Sequence, residues 1–214
     1  MTASVATVEP ELVAADSMST GRPCLVWRWS EPVEAISSAT LGGGRKSVRW
    51  VIDAEVDHTY GRLDPAVHLA ELATELALAG DGVGLLTAAP VRDWQRARDD
   101  AVTVDGTIGV TRPTWAADAD DRHATWPDTV NLVAQIPVRL SEAAMVNAVV
   151  TVTEAKSQAL VERGVPGTGT ASDAVCVVCP TIGPIEPFAG PRSWWGARLA
   201  RATHACVTAG LEAS

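Results

Sequence analysis

The residues able to do chemistry gather in a few short polar runs set in apolar sequence. The densest is Gly167-Thr-Gly-Thr-Ala-Ser-Asp173, which packs two glycines, three hydroxyls and one carboxylate into seven residues. Glycine lets a backbone approach a ligand closely and turn its N–H groups outward. Ser/Thr and Asx turns explain some of the hydroxyls, but their density favours a working loop. A second run, Ser37-Ser-Ala-Thr-Leu-Gly-Gly-Gly44, could cradle an anion or an oxyanion, and a tight turn accounts for it equally well. It lacks the Gly-Lys-Ser/Thr of a phosphate-binding loop and the spacing of a dinucleotide fingerprint. In the third, Asp128-Thr129 with Asn131, an amide interrupts an apolar run. A buried amide must be hydrogen-bonded, to backbone or to ligand.

A fourth set lies at helical spacing. At about 100° per residue, Asn147, Thr151, Glu154 and Gln158 form one stripe, while Lys156 falls among Met145, Val149 and Leu160. Glu154 and Lys156 therefore cannot easily serve one site. Lys156 either snorkels or is buried, and then must be paired or have a depressed pKa. The histidines His58, His68, His123 and His204 have no Ser or Cys partner at a recognisable spacing, so no serine triad is legible. No paired-histidine metal signature appears either, and no metal or cofactor is expected.

The elements that must position these residues follow from periodicity. Residues 1–20, acidic and without strong periodicity, read as a flexible tail, and 21–214 as one domain. Cys24–Trp29 and Val48–Ile52 are β-rich, and Ile36–Arg45 is a strand end opening into the glycine loop. Asp64-Pro65 predicts a helix with Asp64 as N-cap, ending at Gly80. Gly82–Ala89, Ala101–Val110, Thr129–Val138 and Ala174–Val178 read as strands. Thr111–Pro127 reads as a long surface excursion. Ser141 caps a long helix ending before Gly164, and Arg192–Leu211 is a last helix. The expected fold is α/β or α+β: one layered domain, a mixed sheet with about three packed helices.

Composition narrows the partners. The net charge of −9 argues against nucleic acid and anionic membranes. There is no signal-peptide pattern and no apolar run long enough to span a bilayer, so the cytoplasm is expected. Cys176 and Cys179 share a C-x-x-C spacing inside an apolar strand, where they face opposite sides and read as buried thiols. The 8 Trp read as core filling or as a flat apolar wall for a planar ligand.

Taken in order, Ser37–Gly44, Val83–Ala89, Thr129-Val-Asn131 with Leu140-Ser-Glu-Ala-Ala144, Thr153-Glu-Ala-Lys156, Gly167–Ala174, and Ala189-Gly190 with Gly196 resemble the adenosylcobinamide amidohydrolases. The agreement runs from about Val33 to Leu211. It implies hydrolysis of the amide joining a corrin side chain to aminopropanol, giving adenosylcobyric acid, with a corrinoid as the small-molecule partner. The nucleophile is then a hydroxyl or a positioned water, with Ser38, Thr168 and Thr170 as the hydroxyl candidates and Asp173 or Lys156 as the acid/base partner. Ser37, Gly42, Gly43, Gly44, Thr87, Asn131, Glu154, Gly167 and Gly169 are the expected substrate-binding positions, with glycine N–H groups and Asn131 holding the oxyanion. The segment Thr107–Trp115 departs from the family pattern. That keeps open a divergent amidase or acyl-transfer enzyme, as well as a corrinoid-binding module without turnover. A homo-oligomer is also left open.

Overall fold

A computed structural model of the chain describes residues 7–119 and 128–213. Its strands are β1 (Glu11–Val13), β2 (Cys24–Ser37), β3 (Gly44–Glu55), β4 (Gly82–Thr87), β5 (Gln95–Asp99), β6 (Val102–Ile108), β7 (Val130–Gln135) and β8 (Ala174–Pro180). Three α-helices accompany them among the described residues: α1 (Pro65–Glu75), α2 (Glu142–Glu162) and α3 (Trp194–Ala213). The strands form one mixed sheet in the order β4-β3-β2-β8-β7-β6-β5, with β1 added on β2. The expected class, a mixed sheet with three packed helices, is what the chain adopts.

The sheet curls on itself. β2 carries an irregularity between Arg28 and Val33, where Pro32 has no N–H to give a neighbour. Before it β2 pairs with β1, and after it with β8. The curl brings β4 against β7, so that the Asn131 amide on β7 donates to the Leu86 carbonyl on β4 at 2.9 Å.

Strand alternation then sorts side chains into an inside and an outside. The outer face of β6, β7 and β8 packs Val104, Leu132 and Val177 under Val152 and Leu160 of α2 and Leu199 and Val207 of α3. The outer face of β3 packs Trp50 and Ile52 under Leu69 and Leu72 of α1. The inside holds Trp27, Trp29, Val51, Leu85, Val133, Cys176 and Val178. Cys176 thus faces in and Cys179 out, as the spacing implied, and all four cysteines are buried and free. Trp27, Trp29 and Trp50 are core residues, while Trp115 and Trp194 are exposed.

Several local expectations change. Ser141 caps α2 as predicted, accepting from the Ala144 N–H at 3.1 Å. Asp64 does not cap α1 with its side chain, which is held by Arg62 instead. α1 ends at Glu75, and Ala77 turns the chain with φ of 51°, three residues before the expected glycine. Thr151, one of the polar stripe on α2, is buried and donates to the Ala189 carbonyl at 2.8 Å. The edge strand β5 was not legible. Its Gln-Arg-Ala-Arg-Asp sequence has the charges of a solvent-facing edge and no apolar alternation. Within the span read as a tail, Glu11–Val13 pairs with β2, and Val8 exchanges hydrogen bonds with Gln135. Residues 1–6, His123 and the end of the Thr111–Pro127 excursion lie outside the described residues.

Candidate active site

The loop after β2, the start of β8 and the facing ends of β4 and β7 enclose a cleft of about 310 Å³. Its wall includes Ser38, Ala39, Thr40, Tyr60, Asn131 and the Thr129, Ser172 and Asp173 group. Strand pairing builds it. Ser37 ends β2 by donating to the Val175 carbonyl at 2.9 Å and accepting from the Ala39 N–H at 3.0 Å. That turn leaves Ser38 exposed, with its N–H on the Val175 carbonyl and its Oγ accepting the Val175 N–H at 3.1 Å.

The opposite wall is a knot of hydroxyls and one carboxylate. Asp173 Oδ1 accepts from the Val130 N–H at 2.9 Å and the Thr170 hydroxyl at 2.6 Å. Its Oδ2 accepts from the Thr170 N–H at 3.1 Å and from Lys156 Nζ. Lys156 is buried on α2, and the pair is the resolution of its position on an apolar face. The Thr170 hydroxyl also reaches the Asp128 carbonyl. Ser172 donates to that carbonyl at 3.0 Å and shares a 2.7 Å hydrogen bond with Thr129.

Beneath the cleft lies a residue that the sequence reading missed. Asp53 on β3 is completely buried and meets no cation among the described residues; Thr107 donates to its Oδ2 at 2.8 Å and Asn131 Nδ2 to its Oδ1 at 2.8 Å. Burial pushes its carboxyl up to about 6, the two hydrogen bonds working against that rise. The signal was present: a carboxylate inside the apolar run Val48–Ala54 is as anomalous as Asn131 in its own strand.

The expected site residues fall into three groups. Ser38, Asn131 and Asp173 share the cleft, with Lys156 behind Asp173. Others support its frame. The N–H groups of Gly167 and Thr168 are spent on the Val165 and Thr114 carbonyls, and the Thr168 hydroxyl accepts from Ala116. Gly169 lies against the Lys156–Asp173 pair, where a Cβ would sit 2.3 Å from Asp173 Oδ2. Gly42, with φ of 71°, lets the loop cross β4 where a Cβ would be 2.1 Å from the Gly82 carbonyl. Gly43 and Gly44 complete that turn, and the Thr87 hydroxyl accepts from Ala89 at 3.1 Å. Glu154 stands apart, exposed on α2 beside a surface groove with Gln158, Arg192 and His204. The oxyanion role expected of Asn131 does not match its geometry, because both hydrogens of its amide are already donated to Asp53 and Leu86.

Among the described residues no histidine is hydrogen-bonded to a serine or threonine hydroxyl; His68 meets Tyr60 and His204 meets Glu162. No group of three or more His, Cys, Asp or Glu side chains converges there as a metal-ligand set. No helix among them is long and apolar enough to cross a membrane. What this arrangement can do is bind a polar, uncharged group between hydroxyls and an amide, beside a serine oxygen polarised by a backbone N–H.

Comparison with known proteins agrees. The adenosylcobinamide amidohydrolase of Methanosarcina mazei is 33% identical over 188 residues, covering 84% of this chain and 90% of its own length. The adenosylcobinamide amidohydrolase of Halobacterium salinarum is 34% identical over 173 residues, covering 77% of this chain and 68% of its own length. The family profile for adenosylcobinamide amidohydrolase matches residues 9–214, so this chain belongs to the adenosylcobinamide amidohydrolase family.

Proposed function

We propose that this amidohydrolase cleaves, in the cytoplasm, the amide that joins the corrin side chain of adenosylcobinamide to aminopropanol, releasing adenosylcobyric acid. One observation carries the assignment to this cleft: an exposed serine hydroxyl, a buried amide and a paired carboxylate all line it. A volume of about 310 Å³ suits the amide-bearing arm and not the macrocycle, which lies outside the mouth in this reading. Four free, buried thiols suit a reducing compartment.

Ser38 is the nucleophile in this proposal. Its Oγ accepts the Val175 N–H, which stabilises the charge that grows on oxygen as the proton leaves. Asp173 takes that proton and passes it to the aminopropanol nitrogen as the C–N bond breaks, and water then hydrolyses the ester left on Ser38, freeing the acid and restoring the hydroxyl. All of its present donors are engaged, so one must be released, and the Thr170 hydroxyl has the Asp128 carbonyl as an alternative acceptor. Lys156 holds Asp173 in place throughout.

The experiment incubates the purified protein with adenosylcobinamide and follows adenosylcobyric acid by mass. Product from the wild type and none from a folded Ser38→Ala variant supports the whole reading. Product from both removes Ser38. Tight binding without product points to a binding module, and no interaction to an amidase of another substrate class.

A further inference from the structure

We infer that Asn131 offers its side-chain carbonyl as the hydrogen-bond acceptor for the N–H of the scissile amide, with Asp53 and the Leu86 carbonyl as the groups that position it. The inference rests on the function proposed above and adds how the amide is recognised.

Orientation comes first. An asparagine side chain has two N–H donors on one end and a carbonyl on the other. Both hydrogens of Asn131 go to acceptors, Asp53 Oδ1 at 2.8 Å and the Leu86 carbonyl at 2.9 Å. Turning the amide over would set its oxygen against two other acceptors. The partners themselves therefore decide which end is which.

That leaves Oδ1, a buried acceptor with no partner among the described residues, on a residue that is part of the cleft wall. Buried polar atoms are nearly always paired, and an orphan costs stability. Asp53 adds to the cost as a carboxylate sealed in the core with no cation among the described residues to pair it. A sheet interior needs neither group, since an apolar pair would fill the same space. Unpaired polar atoms beside a cleft mark a place where a ligand completes the hydrogen bonds.

The missing partner must be a donor. A secondary amide supplies one N–H at the scissile bond, whereas the corresponding ester supplies none. A site that hydrogen-bonds an N–H disfavours the analogue lacking it, because its own acceptor is then left unpaired.

The test compares kcat/KM for adenosylcobinamide with that for its ester analogue, in the wild type and in three variants. The ratio of the two rates does not depend on what fraction of the enzyme is folded. Asn131→Ser keeps a hydroxyl for Asp53 and removes the carbonyl; the amide-to-ester ratio should fall about tenfold or more. Asp53→Ala should lower the ratio similarly by freeing the amide to turn. Asp53→Asn should leave it unchanged, since an amide oxygen still accepts from Asn131 and an amide N–H can donate to Thr107. Equal losses on both substrates in Asn131→Ser would mean that the carbonyl serves the attacking water or the frame, and would overturn the inference alone. A lowered ratio in Asp53→Asn, a variant expected to fold because it removes a buried charge, would overturn the positioning role. Wild-type protein that cleaves neither substrate would overturn the functional reading together with this one.

Discussion

Two side chains concentrate the chemistry, and both are set by their hydrogen bonds. Ser38 has an exposed hydroxyl whose oxygen already receives a backbone N–H. Ser38→Ala should lower turnover by at least ~10³-fold while leaving the melting temperature nearly unchanged, measured by product release and calorimetry. Asp53 makes a prediction about stability. Its carboxyl is raised by burial to about 6 in the folded protein, against about 3.9 in an unfolded chain. Between those values the folded state holds more protons than the unfolded state, so stability falls as pH rises through that window. The full penalty at neutral pH is about 3 kcal/mol. Asp53→Asn removes it. Urea unfolding should show little gain from that variant at pH 4 and a growing gain up to pH 7, the titration of other groups cancelling in the difference. A gain independent of pH would refute the buried, uncompensated charge.

At the scale of elements, the run from Gly167 to Asp173 ties three pieces of chain together. Thr114 and Gly169 pair through backbone, Lys156 joins α2 to the loop, and Asp173 reaches the first residue of β7. Gly169 is required because the ion pair occupies the space where a side chain would start, 2.3 Å from Asp173 Oδ2 and 2.5 Å from Lys156 Nζ. Gly169→Ala should push the pair apart and leave two poorly compensated charges, costing roughly 3 kcal/mol. Turnover per folded molecule should fall with it, since Asp173 lines the cleft. Unchanged unfolding free energy would mean that the loop is not the clamp described here. The hydroxyls that made this run conspicuous are spent on tying it to the rest of the chain: Thr170 on Asp173 and the Asp128 carbonyl, Ser172 on the Asp128 carbonyl, and Thr168 as acceptor for the Ala116 N–H.

For the whole molecule the governing fact is the curl of the sheet. The curl puts polar groups from distant strands inside: Asp105 on β6 receives Trp27 Nε1 from β2 at 2.8 Å and the guanidinium of Arg96 from β5. Arg96 also donates to the Val8 carbonyl at 2.9 Å, so the start of the described chain is tied to the same group. Arg96→Met would strand a fully buried carboxylate. The expected loss is about 3–5 kcal/mol, which for a chain of this size lowers the melting temperature by roughly 10 °C. A smaller shift of one or two degrees would show that water enters the interior and hydrates Asp105.

Much of this protein was decided within short stretches of chain. Alternation in β7 and β8, the Ser141 cap, the opposite faces of Cys176 and Cys179, and the separation of Glu154 from Lys156 all follow from periods of 2.0 and 3.6 residues, which need no tertiary contact to act. The ordered motifs were local too, and they sufficed for the family. Which polar residues meet was decided only by the curl of the sheet. Asp53 and Asn131 are 78 positions apart in sequence, and Thr107 and Asp53 are 54 apart. No local pattern brings them together; a bend in β2 and the meeting of β4 with β7 do. For the same reason the sequence marked the loop at Gly167 as chemically rich but could not say that its groups would be taken up by Asp128, Val130, Lys156 and Ala116. Nor could it say that Asn131 would turn its donors inward and keep an acceptor for the cleft.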